Sequence, residues 1–110
     1  MIATLLISYL SEKLELYVGM EQPEIKTGYV IIDQTGSSKT NHIKTTTFAV
    51  QSYGASLLEA MRLNERVEAA MEGFAELPEV AGVRLETDYN FTDTETKQYR
   101  WQAVYDITHY

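Results

Sequence analysis

The residues able to do chemistry are few and far apart. His42 stands at the expected start of a strand and His109 lies one residue from the last; neither has an Asp, Glu or His partner at metal-ligand spacing. There is no cysteine, so a disulfide framework and a thiolate metal site are both excluded. Ser52 and Ser56 flank a strand-to-helix turn, where a nucleophile elbow would hold its serine. Gln51-Ser52-Tyr53-Gly54 is not G-x-S-x-G, however, and a capping role accounts for Ser56. Gly36 to Lys39 lacks the glycine pattern of a phosphate loop and joins two strands, whereas phosphate-cradling loops run into a helix N-terminus. Asp93 and Glu95 fall in a hairpin turn, where a carboxyl is not easily desolvated into a general acid. Tyr89, Phe91, Tyr99, Trp101 and Tyr105 could stack bases, but their shared parity with Val83, Leu85 and Ile107 makes them core or interface first. The expectation is a protein with no catalytic residue, no cofactor and no metal, whose work is done by its surfaces.

The element that organises the chain is Phe48 to Leu77. It begins as a strand, turns at Ser52 to Ser56 and continues as a helix, whose start is marked by Ser56 and, three residues on, Glu59. Ala60, Leu63, Val67, Ala70, Phe74 and Leu77, with Met71 beside them, form one apolar stripe, and Pro78 ends the helix. Glu59, Arg62, Glu65, Arg66, Glu68, Glu72 and Glu76 lie on the other side. A solvated face with i to i+4 Glu and Arg pairs is the ordinary reading of that pattern.

Ahead of this element, Ala3, Leu6, Leu10, Leu14 and Tyr17 hold helical spacing, widened by Leu5, Ile7, Tyr9 and Leu16, until Gly19 stops the run. Such an apolar helix is expected to be buried on more than one side, in the fold or against another subunit. Tyr29 to Asp33 reads as a strand, Gln34 to Asn41 as an exposed, mobile loop, and His42 to Gln51 as a second strand, so that the hairpin projects with a polar tip. No acid occurs from Gln34 to Leu58, a stretch that carries Lys39 and Lys44. After the long helix, Val83, Leu85, Thr87, Tyr89 and Phe91 alternate with polar residues, and Tyr99, Trp101, Ala103, Tyr105 and Ile107 do the same, giving a hairpin with one apolar face. The order is therefore α-β-β-α-β-β. An α+β fold is expected, with two helices packed on one face of a mostly antiparallel four-stranded sheet.

The 110 residues suit one domain, 1–110, large enough to bury a core unaided. Sixteen acids against nine bases give a net charge of −7, which argues against a protein that grips nucleic acid by neutralising phosphates. The apolar run Ile2 to Leu10 has no preceding Lys or Arg and no small-residue cleavage site after it. Broken by Ser8 and Glu12, it is far short of the roughly 20 residues a membrane span needs, so an ordinary helix is expected. The lack of cysteine agrees with folding in a reducing cytoplasm.

Three blocks taken together carry a resemblance: the N-terminal amphipathic helix leading into LYVGMEQPEIKTGYVIIDQTG, the passage FAVQSYGASLLEAMRLNERVEAAM, and the C-terminal hairpin. In order and texture the chain resembles the tail terminator, or tail-completion, proteins of long-tailed bacteriophages. The resemblance implies a structural virion protein assembled in the host cytoplasm. It would form a ring, usually a hexamer, at the head-proximal end of the tail tube, where it stops tube polymerisation and offers a joining surface to the head connector. Its partners would be copies of itself, the tube protein and the neck, with DNA passing through unbound and no membrane involved. On this reading Gln34, Gly36, Lys39 and Asn41 are expected to order on a partner. Glu68 and Glu72 are expected on a subunit contact or along an acidic channel that repels phosphate. The competing expectation is a small ligand-binding or regulatory domain that dimerises through its first helix.

Overall fold

The computed structural model describes residues 1–110. Seven elements follow one another: α1 (Ile2–Leu14), β1 (Val18–Gly19), β2 (Tyr29–Thr40), β3 (Ile43–Gly54), α2 (Leu57–Phe74), β4 (Val80–Asn90) and β5 (Tyr99–His109). The strands form one sheet in the order β1-β2-β3-β5-β4, antiparallel except for β1, which runs parallel to β2. The sheet therefore has five strands rather than four. The extra one is the two-residue β1, formed because α1 ends early: Glu15 takes the left-handed conformation and bonds back to Ser11, freeing Leu16 and Tyr17 from the helix. No helix is long and apolar enough to cross a membrane.

Both helices lie on one face. Ala3, Leu6, Leu10 and Leu14 from α1 join Leu63, Val67, Met71 and Phe74 from α2 in a single cluster with the sheet residues Val30, Ile32, Phe48, Val50, Ala103, Tyr105 and Ile107. The flanking α1 residues Ile2, Leu5, Ile7 and Tyr9 are half-buried against the same cluster. Two side chains lock the helices together. Tyr9 donates to the carbonyl of Ala70 at 3.0 Å, and Arg66 Nη2 donates to the carbonyl of Leu14 at 2.6 Å, one of the free carbonyls at the end of α1.

The start of α2 is capped by the pair expected for it. Ser56 Oγ accepts from the Glu59 N–H at 3.2 Å, and the Glu59 carboxylate accepts from Ala55 N–H at 3.0 Å, one residue before the cap. The turn into the helix is tighter than expected because β3 runs on to Gly54. There the first turn of α2 comes so close that a Cβ would collide with the backbone of Glu59 and Ala60, and only glycine fits. At the other end α2 stops at Phe74, three residues short of Leu77, which still packs on the core.

Element lengths decide what is left uncovered. Eighteen residues of α2 span roughly 27 Å at 1.5 Å each, and the twelve residues of β3 roughly 40 Å at 3.3 Å each. Neither helix can roof the whole sheet, whose strands give the molecule its 44 Å long axis. The outer half of β2, Asp33 to Thr40, is exposed on both sides, and so is β4 from Leu85 to Asn90.

The expected mobile loop from Gln34 to Asn41 is not a loop. Apart from a bulge at Thr35, β2 pairs with β3 residue by residue, from Tyr29↔Tyr53 through Gly36↔Thr47 and Lys39↔Lys44 to Thr40↔Ile43. The turn is only Asn41-His42, both at positive φ (51° and 68°), as a two-residue hairpin turn requires. The Gly, Ser, Thr and Lys of this stretch read as a loop because neither of its faces is buried, which removes the apolar alternation that marks a strand.

Candidate interaction surfaces

Two surfaces are left without a covering element, the outer edge of β2 and a groove between α2 and β4; a third, the sheet face opposite the helices, is partly covered, with Tyr29, Ile31 and Tyr53 buried in a small second cluster beside Gln22, Pro23 and Ile25. Strand register places the first two. Gln34 pairs with Phe48, which pairs with Tyr105, which pairs with Leu85; in the same way Gly36, Thr47, Asp106 and Arg84 form one row. The two edges are thus exposed at the same height on opposite sides of the molecule.

Of the expected contact residues, Gln34, Gly36 and Lys39 lie on the exposed outer strand and Asn41 in its turn. Glu68 and Glu72 stand one turn apart on α2, on the far side, along a groove of about 240 Å³ lined also by Met71, Val83, Leu85 and Tyr105. One subunit therefore does not bring the two groups together. The Glu and Arg pairs expected along α2 do not form; the one ion pair, at 3.0 Å, joins Arg84 and Glu86 on β4. Tyr105 is 2% exposed and its hydroxyl has no hydrogen-bond partner. Burial, then the negative charges of Glu68 and Asp88, push its ionisation well above the usual tyrosine range.

The third surface was not legible as a unit. Arg100 Nη1 donates to Tyr53 OH at 3.1 Å, Tyr53 OH to Gln51 Oε1 at 3.3 Å, Gln51 Nε2 to Gln102 Oε1 at 2.8 Å, and Gln102 Nε2 to Tyr89 OH at 2.5 Å. This chain of side-chain bonds crosses β3, β5 and β4 on the open face. Tyr29 stacks on Tyr53 with ring centres 4.5 Å apart, and the Arg100 guanidinium lies 4.6 Å from the Phe91 ring centre. Burial, with Tyr53 next, raises the ionisation of Tyr29, and Arg100 opposes the shift.

Tyr89 reaches this face because strict alternation fails. A bulge at Glu86 puts one extra residue into β4, so that Val83 and Leu85 share the helix side while Thr87 and Tyr89 pair with Val104 and Gln102 on the open side. The expectation that Val83 to Phe91 share one apolar face is corrected accordingly: Asp88, not Tyr89, stands on the helix side, where it accepts from Trp101 Nε1 at 2.7 Å. A second bulge at Ala81 lies at the start of the strand. No sequence signal marks either, since neither position carries a glycine in the left-handed region.

His109 is buried at 7% exposure, with Nε2 2.8 Å from Thr46 Oγ1, whereas His42 occupies the exposed turn. No three His, Asp or Glu side chains converge as metal ligands would. Ser52, at the turn where a nucleophile would sit, is fully buried beneath the helices with its hydroxyl unpartnered, and no histidine reaches it. No model of a known protein family matches the chain, and neither does any curated protein.

Proposed function

We propose that this protein is a ring-forming structural subunit of a long phage tail, placed at the head-proximal end of the tube, where it ends polymerisation and receives the head connector. The observation that carries the reading is that one sheet exposes two unlike edges at the same rows, a polar one on β2 with Lys39 toward its tip and an acidic groove beside β4. A subunit with unlike edges on opposite sides associates head to tail, and head-to-tail contacts close into rings when the rotation per subunit permits. The strand edges also offer unpaired backbone N–H and C=O groups to a neighbour. The ladder on the open face supplies a firm, polar surface of the kind that meets a partner without rearranging. The net charge of −7 keeps such a ring from holding DNA that slides through it.

The test is genetic and visual. Without the protein, electron micrographs are expected to show tails of irregular or excessive length that fail to join heads, and the purified protein added back is expected to restore uniform length. Uniform tails of normal length in its absence reject the proposal.

A further inference from the structure

We infer that Lys39 of one copy docks in the groove between α2 and β4 of a second copy, its alkyl chain along the apolar floor and its ammonium between Glu68 and Glu72. The inference rests on the ring reading and identifies the contact that would build it.

The groove fits that occupant. Met71, Val83, Leu85 and Tyr105 give it an apolar floor, and the two carboxylates rim it without any basic side chain paired to them. A long aliphatic stem ending in a positive charge matches both parts, as lysine side chains do when the stem lies on apolar surface and the head remains at a polar rim.

The donor is identified from the other side of the molecule. Lys39 and Lys44 are direct cross-strand partners, both exposed and neither in an ion pair, in a chain that has nearly twice as many acids as bases. Like charges directly opposite each other weaken a strand pair, and neither lysine has an ion-pair partner within the subunit to relieve it. A carboxylate pair supplied by another copy would do so.

Register gives the approach. Lys39 shares its row with Lys44, His109 and Val80, a few residues from the row of Leu85 in the groove wall. Lys39 and Lys44 also share the helix side of the sheet with Phe48 and Ile107, which is the side on which the groove opens. Copies placed side by side and offset along the strands by a few residues would bring one copy's Lys39 to the next copy's groove. Within one subunit β3 and β5 stand between the two edges, so the pair can form only between copies.

The test is carbodiimide cross-linking of mixed isotopically heavy and light full-length protein, with sedimentation at low and high ionic strength. A Lys39 to Glu68 or Glu72 link between heavy and light chains is expected. Lys39→Glu should weaken self-association by about tenfold or more. Lys39→Met, which keeps the stem but not the charge, should fall between. Combining Lys39→Glu with Glu68→Lys and Glu72→Lys should restore association, and unchanged thermal melts would show that the variants fold. Protein that stays monomeric at millimolar concentration and low salt, or assemblies indifferent to Lys39→Glu, overturn the inference. Rings that form without this contact would sink it and leave the tail proposal standing. A salt-sensitive Lys39 contact in a protein whose loss leaves tails uniform would do the reverse.

Discussion

On the helix side of the sheet Phe48, Val50, Ala103 and Ile107 are sealed under α1 and α2; on the open side the same strands carry Gln51, Gln102 and Arg100 in a chain of hydrogen bonds. The polar atoms are disposed against intuition. The buried side holds the hydroxyls of Ser52 and Tyr105 and the amide oxygen of Asn64 without partners, although Asn64 Nδ2 does donate to Glu68 at 3.2 Å. Across the open side the glutamines and tyrosines are linked to one another. Most of the apolar burial lies on the helix side; the open side adds only the small cluster of Tyr29, Ile31 and Tyr53 and is otherwise ordered by directional bonds that are each worth little net. Folding and docking can therefore be damaged separately.

The largest effect expected from this contrast is on the helix side. Phe48→Ala removes a fully buried ring from the middle of β3 and should cost about 3–5 kcal/mol in denaturant unfolding. A loss comparable to that of an open-face substitution would mean that the two faces are not distinct. Next comes the junction that sets α2 over the sheet: Gly54→Ala forces a methyl into the backbone of Glu59 and Ala60 and should cost about 1–3 kcal/mol. It should lower the melting temperature without changing the far-ultraviolet spectrum of the folded state. On the open side Gln102→Ala removes the central link between Gln51 and Tyr89 and should cost about 1 kcal/mol, with its main effect on surface order, read as faster amide exchange in β4.

How much of this was legible in the sequence follows the same division. The helix side was readable because burial writes itself as periodicity. The stripe from Ala60 to Phe74, the Ser56–Glu59 cap and the alternation of Ala103, Tyr105 and Ile107 all stand as expected. What failed lies where burial is absent. Gln34 to Thr40 forms a strand through backbone pairing with Thr45, Thr46 and Thr47, which leaves no hydrophobic trace, and the bulge at Glu86 reverses the faces of an apparently clean alternation. Of the expected contact residues, Gln34, Gly36, Lys39 and Asn41 were found in a strand and its turn rather than in a loop, and their relation to Glu68 and Glu72 depends on a sheet order that local sequence does not encode. The ladder through Gln51 and Gln102 was hidden for the same reason: two outward polar residues become a pair only once β3 and β5 are known to be neighbours.

The smallest expected effect has the opposite sign and locates the weak point of the buried face. Tyr105→Phe deletes a hydroxyl that is out of contact with water and has no partner, so it should stabilise the fold, by about 0.5–1 kcal/mol at neutral pH. The pH dependence separates this from a simple packing gain. In the native state the Tyr105 proton is held above the ordinary value of 10.0 by burial first, then by Glu68 and Asp88. In the unfolded chain it leaves near that value. The group's contribution is therefore fully present below pH 10.0 and lost as pH rises beyond it, since only the unfolded state releases the proton there. Each such tyrosine adds a slope of about 1.4 kcal/mol per pH unit between its two ionisations. Tyr9 and Tyr29, raised for the same main reason, keep part of the alkaline sensitivity in the variant. Wild-type protein should thus unfold steeply above pH 10.0, and Tyr105→Phe less steeply, with the gap widening as pH rises. A gap that stays constant from neutral to alkaline pH would mean that the Tyr105 hydroxyl is solvated in the native state and that the floor of the α2–β4 groove is open to water.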